Sequence, residues 1–151
     1  ANYILAKSLL LNQNSGQAIE EFKRLTKAKN PEYAAEAQYV LAEIAFNSGK
    51  IEESEKMIHQ INANPSSEYW LAKTFVLWAD IFKSKGNTIQ AKQTLQSIID
   101  NYEGDEELIE LAKQKLISLT DEETKTLQET EDKRQEQQEA VDEIIIEDAE
   151  Q

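Results

Sequence analysis

The sequence predicts an all-α fold made of repeated pairs of helices. The residues with high helix propensity, namely Ala, Leu, Glu, Lys and Gln, dominate a chain of 151 residues that has only four Gly and two Pro. Apolar residues recur at the helical spacing of three and four positions rather than in alternation. Small residues recur at a fixed longer interval. This length fits one domain, and the recurrence predicts that the domain is a stack of similar units.

Small residues occupy two equivalent positions in three successive units. The position in the first helix of each unit is held by Ala6, Ala42 and Ala79, and the position in the second helix by Ala18, Ser54 and Ala91. Both sets step by 36 and then 37 residues. A large side chain would push apart two helices that cross closely. We therefore expect Ala42 to face Ser54, and Ala79 to face Ala91.

Helix-start signals mark the boundaries between units. Asn30 precedes Pro31 and Asn64 precedes Pro65, so each dipeptide is predicted to place a capping Asn before a Pro at the first helical position. The predicted units cover about residues 1–29, 30–63 and 64–104.

Glycines mark the turns inside the units. Gly49 and Gly86 follow the first helix of their units, where a left-handed backbone conformation is needed. Asn87 and Gln90 have the spacing of a capping box for the helix that follows. The second and third units are therefore predicted to be helix–turn–helix pairs.

The chain after the third unit is predicted to form a capping helix and a polar extension. Gly104 and Asp105 are predicted to end one helix and begin the next. The capping helix, residues 105–119, has an apolar stripe formed by Leu108, Leu111, Ala112, Leu116 and Leu119. Thr120 and Glu123 have capping-box spacing for a further helix. We expect a repeat domain over residues 1–119 and an acidic tail over residues 120–151 that is helical or disordered.

The net charge of −13 is concentrated in the tail. Residues 1–119 contain 13 Lys/Arg and 16 Asp/Glu, whereas residues 120–151 contain 3 and 13. The body has no basic stripe, which argues against nucleic acid as a ligand. Three interpretations of the tail stay open: a solubilising terminus, loose binding of divalent cations, or docking to a partner. If the tail docks to a partner, Ile144, Ile145 and Ile146 would add as a strand to the edge of a sheet of that partner or enter a hydrophobic groove on it.

The residue types needed for catalysis are scarce. The chain has no Cys, which excludes disulfides and thiolate metal sites. His59 is the only His, and it has no Ser or Cys near it in the sequence. Phosphate-binding loops, metal-ligand spacings and nucleophile elbows are absent from the sequence. We expect no enzyme activity, no cofactor and no metal site, and the apolar stretches are too short to span a membrane.

Over about residues 1–119 the pattern resembles the tetratricopeptide repeat (TPR) family. The matching residues are the large–small pairs of the first helices, the turn glycines, the small residues and one aromatic of the second helices, and the boundary prolines: Leu5-Ala6, Leu41-Ala42, Trp78-Ala79, Gly49, Gly86, Ala18, Ala91, Phe22, Pro31 and Pro65. The chain departs from the family in its period of 36–37 rather than 34. Ser54 replaces Ala, and Ile58 and Leu95 replace the aromatic. The resemblance implies a right-handed α-solenoid of about three repeats.

The same resemblance implies a concave groove lined by the first helices. The groove candidates are Tyr3, Lys7, Glu36, Tyr39, Glu43, Asn47, Lys73, Val76, Asp80 and Lys83. The family's best-defined peptide site captures a C-terminal carboxylate with Lys, Arg and Asn side chains. The acidic Glu43 and Asp80 depart from that pattern, so that specificity is not implied here.

These observations predict a scaffold or adaptor that binds a protein or peptide through its groove or an exposed end of the stack. A structural terminal segment of a longer solenoid, or a module that delivers substrate to an enzyme, are the alternatives. Apolar residues at Ile4, Leu5, Leu9 and Leu11 predict that upstream repeats of a longer parent chain stack on the first helix. The long units resemble those of bacterial envelope-associated members, which favours the periplasm or cell envelope over the cytoplasm.

Overall fold

The computed structural model describes residues 2–12 and 14–149, and in these ranges the backbone forms seven α-helices and no strand. This confirms the all-α prediction. The helices are α1 (Asn2–Leu11), α2 (Ser15–Leu25), α3 (Pro31–Asn47), α4 (Ile51–Ala63), α5 (Glu68–Ser84), α6 (Thr88–Asn101) and α7 (Glu106–Ala149).

The chain divides into two compact units, Ala1–Gln114 and Lys115–Gln151. In the first unit, helices that follow one another in the chain pack as pairs: α1 with α2, α3 with α4, and α5 with α6. The pairs are joined by packing of α2 on α3 and of α4 on α5, and α3 also packs directly on α5. The first helices of the second and third pairs are therefore neighbours. The second unit contains the C-terminal part of α7.

The pattern of burial in the first unit repeats along the chain. Ala18, Ser54 and Ala91 are fully buried, and four and seven positions further on each second helix presents another buried side chain. These are Phe22, Ile58 and Leu95, followed by Leu25, Ile61 and Ile98. All three sets have the same steps of 36 and 37 residues, so the three second helices bury one equivalent face.

One of the two predicted close crossings is confirmed by a direct contact. The Ser54 Oγ donates a hydrogen bond of 2.8 Å to the backbone carbonyl oxygen of Ala42, and both residues are fully buried. A hydroxyl on α4 can reach the backbone of α3 only if the helices approach closely, which the small side chain of Ala42 permits. Ala79 and Ala91 are also buried, on the α5–α6 pair, and their direct contact stays a prediction.

The predicted start of α3 is confirmed, whereas the predicted start of α5 is wrong. The Asn30 side chain accepts a hydrogen bond of 2.9 Å from the Glu32 backbone N–H, and Pro31 occupies the first turn. Pro65, however, lies between α4 and α5. The helix begins three residues later because Ser67 provides an alternative cap, whose Oγ accepts from the Trp70 backbone N–H at 3.4 Å.

The predicted glycine turns are confirmed. Gly49 and Gly86 both have φ of +76°, and each is the second residue after the first helix of its pair. Asn87 does precede the first residue of α6, but its side chain makes no capping hydrogen bond, so the predicted capping box with Gln90 is wrong. Its backbone, at φ −88° and ψ 63°, differs from the extended conformation in which Asn30 caps α3.

Two glycine substitutions are expected to have opposite effects on stability. Gly86→Ala should lower the free energy of unfolding by about 1 kcal/mol or more, because an Ala is strained at the positive φ of this position. In Gly16→Ala, the residue lies in the first turn of α2, and replacement should raise that free energy by up to about 1 kcal/mol. A Cβ at either position meets no atom within 4 Å, so the backbone alone distinguishes them. Urea denaturation measures the free energy of unfolding of both variants. A change of the same sign in both would contradict this explanation.

Helix α7 is continuous over 44 residues, so the predicted second helix start at Thr120 is wrong. The helix is capped at its beginning by Asp105, whose carboxylate accepts from the Leu108 backbone N–H at 2.8 Å. The Thr120 hydroxyl instead donates to the Leu116 carbonyl one turn earlier, at 3.0 Å. A Thr inside a helix can satisfy its hydroxyl in this way, and no Gly or Pro follows Asp105 to end the helix. The tail is therefore helical as far as Ala149.

Candidate functional site

The structure gathers half of the predicted groove residues into two side-chain clusters in the first unit. We call the first the tyrosine clasp: Tyr3 and Lys7 of α1 with Glu36 of α3. We call the second the aromatic cluster: Tyr39 of α3 with Tyr69, Trp70 and Lys73 of α5. Both clusters join the first helices of different pairs, so neither can form within one helix pair alone.

The tyrosine clasp surrounds a buried carboxylate. Only 7% of Glu36 is exposed. The Tyr3 hydroxyl donates to its Oε2 at 2.6 Å, and the Lys7 Nζ lies 2.9 Å from its Oε1. The Lys7 Nζ also donates to the Tyr3 hydroxyl oxygen at 2.8 Å. The carboxylate thus has a partner on each oxygen, as a buried charge requires.

The clasp shifts the titration of both of its α1 side chains. Burial and the hydrogen bond to Glu36 raise the pKa of the Tyr3 hydroxyl above its ordinary value of 10.0. Hydrogen bonds to Tyr3 and Glu36 raise the pKa of the Lys7 ammonium above 10.5. Both shifts favour the protonated forms in the folded chain. The contribution of the clasp to stability is therefore complete below pH 10 and is lost as the pH rises through the raised values.

Tyr3→Phe should remove the part of this pH dependence that arises from Tyr3. At pH 8 the substitution is expected to lower the free energy of unfolding by about 1–2 kcal/mol, because the Glu36 carboxylate loses a hydrogen bond. As the pH rises above 10, the difference between the two proteins should shrink, since in the original protein the unfolded chain loses the Tyr3 proton first. Urea denaturation between pH 8 and pH 11 measures the difference. A constant or growing difference would contradict the assigned role of Tyr3.

The aromatic cluster places one ammonium group among three rings. The Lys73 Nζ lies 5.2 Å from the ring centroid of Trp70, 5.3 Å from that of Tyr39 and 5.8 Å from that of Tyr69. The Tyr39 and Trp70 rings lie 5.3 Å apart, and the Trp70 and Tyr69 rings meet edge to face at 5.1 Å. Distances below 6 Å are those of cation–π contacts. Lys73 is half-buried, so its charge is held partly inside the cluster.

Tyr39 is the buried base of this cluster. Its hydroxyl donates to the Glu43 carboxylate at 2.7 Å, one turn along α3. Burial, and then the hydrogen bond to Glu43, raise the pKa of the Tyr39 hydroxyl far above its usual range. The hydroxyl therefore stays a hydrogen-bond donor at any physiological pH. Glu43 is half-buried beside it.

The remaining groove candidates are placed differently. Val76 is buried and belongs to the core, because its position on α5 faces inward. Asp80 is half-buried, and Asn47 and Lys83 are exposed at the ends of α3 and α5.

Three aromatic residues in or beside these clusters were not among the predicted groove residues. Tyr33 stacks on Tyr3 with ring centroids 4.5 Å apart, and Tyr69 and Trp70 contact Lys73. A signal for two of them is present in the sequence: Tyr69 and Trp70 precede Lys73 by four and three residues, which places them on one face of a helix. No local spacing could have indicated the contact of Tyr39 with Trp70, which depends on the packing of α3 on α5.

The predicted docking segment of the tail lies in helix α7. Val141, Ile144 and Ile145 are exposed, and the side chain of Ile146 lies outside the described residues. In a helix the backbone groups bond to one another, so this conformation offers no free edge for strand addition. Docking in this state would use a helix face.

The comparisons with known proteins leave the function to be argued from these residues: the chain matches no protein-family model and no curated protein. In residues 2–12 and 14–149, no helix has the length and hydropathy needed to cross a membrane. The described acidic and His side chains form no group of three or more that could hold a metal ion. His59 is exposed, and its ring lies nearly perpendicular to that of Trp78 with the ring centroids 5.0 Å apart.

Proposed function

We propose that this chain is a protein-interaction module of the TPR type, which binds a protein or peptide across α3 and α5. In this proposal the three helix pairs are repeats of a right-handed α-solenoid whose first helices line the concave side. The aromatic cluster is the observation that carries the proposal, since it brings Tyr, Trp and Lys side chains together across two first helices.

The repeated burial supports the solenoid part of the proposal. Equivalent second-helix positions are buried in all three pairs with the same 36 and 37 residue steps. A solenoid of similar units predicts this, because each second helix packs in the same way against its own first helix. The direct packing of α3 on α5 supports it further, since neighbouring first helices must touch to line a continuous groove.

The aromatic cluster has the composition of a binding hot spot. Tyr and Trp are enriched at protein interfaces because their rings give a large contact area with few rotatable bonds to fix. Tyr69, Trp70 and Lys73 are half-buried, while Tyr39 is buried and its ring centroid lies 5.3 Å from that of Trp70. A bound segment could therefore cover an aromatic surface that is already ordered, with Lys73 and Glu43 available for polar contacts.

A photo-crosslinking experiment tests the groove. The crosslinking residue p-benzoylphenylalanine is placed at Asn47, which is exposed on α3 one turn beyond Glu43. The matched control carries it at Gln93, which is exposed on the second helix α6. In native extract, we expect a crosslinked protein from Asn47 and none from Gln93. Adding Trp70→Ala and Lys73→Ala to the Asn47 probe should remove the product. Equal crosslinking from both positions, or a product that survives these substitutions, would contradict groove binding.

The exposed face of α1 favours a second candidate function. Ile4 and Leu11 are large apolar residues exposed on the first helix of the stack. A structural segment within a longer solenoid would cover such a face with another repeat. The crosslinking experiment separates the two, because a purely structural segment has no ligand at Asn47.

A further inference from the structure

Helix α1 presents an apolar stripe to solvent. Ile4 is 73% exposed and Leu11 is 83% exposed, and because they are seven residues apart they lie on the same face of the helix, with the exposed Lys7 and Ser8 between them. Leu5, half-exposed, borders them. The opposite face is represented by Ala6, which is fully buried. Single exposed apolar residues are ordinary in proteins, but a stripe on one short helix marks a surface that another element can cover.

The last turns of α7 present a second apolar stripe. Val141, Ile144 and Ile145 have the i, i+3, i+4 spacing of one helix face, and between 49% and 59% of each residue is exposed. This spacing is the one by which an amphipathic helix docks on an apolar surface. The α1 stripe thus lies on a short helix that packs on other helices, and the α7 stripe lies on one face of a long helix.

The sequence segments that carry the two stripes have net charges of opposite sign. Residues 1–29 contain five Lys/Arg and two Asp/Glu, while residues 135–151 contain seven Asp/Glu and no Lys/Arg. Pairing two tails would bring two acidic segments together, and pairing two α1 faces would bring two net basic segments together. Only the pairing of an α1 face with a tail brings opposite charges together.

We propose that the α7 stripe of one chain docks on the α1 stripe of a second copy of this chain. The contact is heterologous, because each chain offers one α1 stripe and one tail stripe, so association continues beyond the dimer unless the geometry closes a ring. It does not involve the aromatic cluster, and of the tyrosine clasp it meets only Lys7, which lies between Ile4 and Leu11 on the same face of α1, so it goes beyond the proposed groove function. Screening by salt weakens the charge part of the contact.

The test uses three double variants of the full chain. Ile4→Gln with Leu11→Gln removes the α1 stripe, and Ile144→Gln with Ile145→Gln removes the tail stripe; neither pair changes the net charge. The control, Ile89→Gln with Leu127→Gln, replaces two equally exposed apolar residues outside both stripes, at 69% and 66% exposure. Sedimentation velocity with light scattering gives the mass of each protein from about 10 μM to 1 mM, at low and high salt.

We expect the original chain and the control to rise above the monomer mass of 17.2 kDa with concentration, and to fall back as salt increases. Each stripe variant alone should stay at the monomer mass. A one-to-one mixture of the two stripe variants should form a dimer of twice that mass and nothing larger, because one intact α1 stripe then meets one intact tail stripe. This complementation is specific to head-to-tail docking.

Four outcomes would overturn the proposal. A monomer mass for the original chain at every concentration excludes self-docking. Association lost only in the tail variant indicates tail–tail pairing, and association lost only in the α1 variant indicates pairing of two α1 faces. An equal loss in the control indicates unspecific apolar association. Circular dichroism of each variant checks that the helices are retained, which is expected because all six positions are exposed.

Discussion

Phe22→Ala is expected to lower the free energy of unfolding by about 3–5 kcal/mol. Phe22 is 1% exposed and lies in the core cluster with Ala6, Ala18 and Ile58. Its neighbours include alanines, which have no longer side chain that could turn into the space left by the ring. The cavity therefore stays largely open, and its cost adds to the lost transfer free energy of the ring.

Urea denaturation followed by tryptophan fluorescence measures this effect in the relevant unit. Both tryptophans, Trp70 and Trp78, lie on α5 in the first unit, so the signal does not include the unfolding of the C-terminal end of α7. Leu127→Ala is the control, since Leu127 is 66% exposed and its truncation should cost less than about 0.5 kcal/mol. A cost for Phe22→Ala as small as that of the control would mean that α2 does not share the core of the other helices.

Local chemistry in the sequence was enough to predict several features of the fold. Asn30 before Pro31, and the glycines at 49 and 86, each act through their own backbone or nearest neighbours, so their effect can be read without knowing the packing. The contact of Ser54 with Ala42 could be predicted because small residues recur at both helix positions. The substitution of Ser for Ala at this crossing even has a reason, since its hydroxyl bonds to the facing helix.

Competing local signals and long-range packing explain what the sequence did not predict. Asn64 and Ser67 lie within four residues of each other, and both can cap a helix, so propensity alone could not select Ser67. Thr120 has the spacing of a cap but lies inside α7, where its hydroxyl has a carbonyl to bond. Glu36 was predicted to line a groove, yet it is buried because Tyr3 and Lys7 of another helix neutralise and hydrogen-bond it. That arrangement depends on the placement of α1 beside α3.

Ala79→Leu is expected to lower the free energy of unfolding by about 1–3 kcal/mol through overpacking. Ala79 is 2% exposed on α5, and Ala91 on the partner helix α6 is fully buried. If the two face each other, as Ala42 and Ser54 do on the preceding pair, three added side-chain carbons have no space unless α5 and α6 move apart. Moving them apart would in turn expose Leu95 and Ile98, which form the rest of the buried face of α6.

The same substitution at two other alanines makes the result specific. Ala42→Leu should cost a similar amount, because its crossing is shown by the Ser54 hydrogen bond, and it should also break that bond. Ala140→Leu, on the exposed surface of α7, should change the free energy of unfolding by less than about 0.5 kcal/mol, because Ala and Leu differ little in helix propensity. If Ala79→Leu behaves like Ala140→Leu while Ala42→Leu is costly, residue 79 does not lie at a crossing. The equivalence of the second and third helix pairs, on which the proposed solenoid depends, would then be lost.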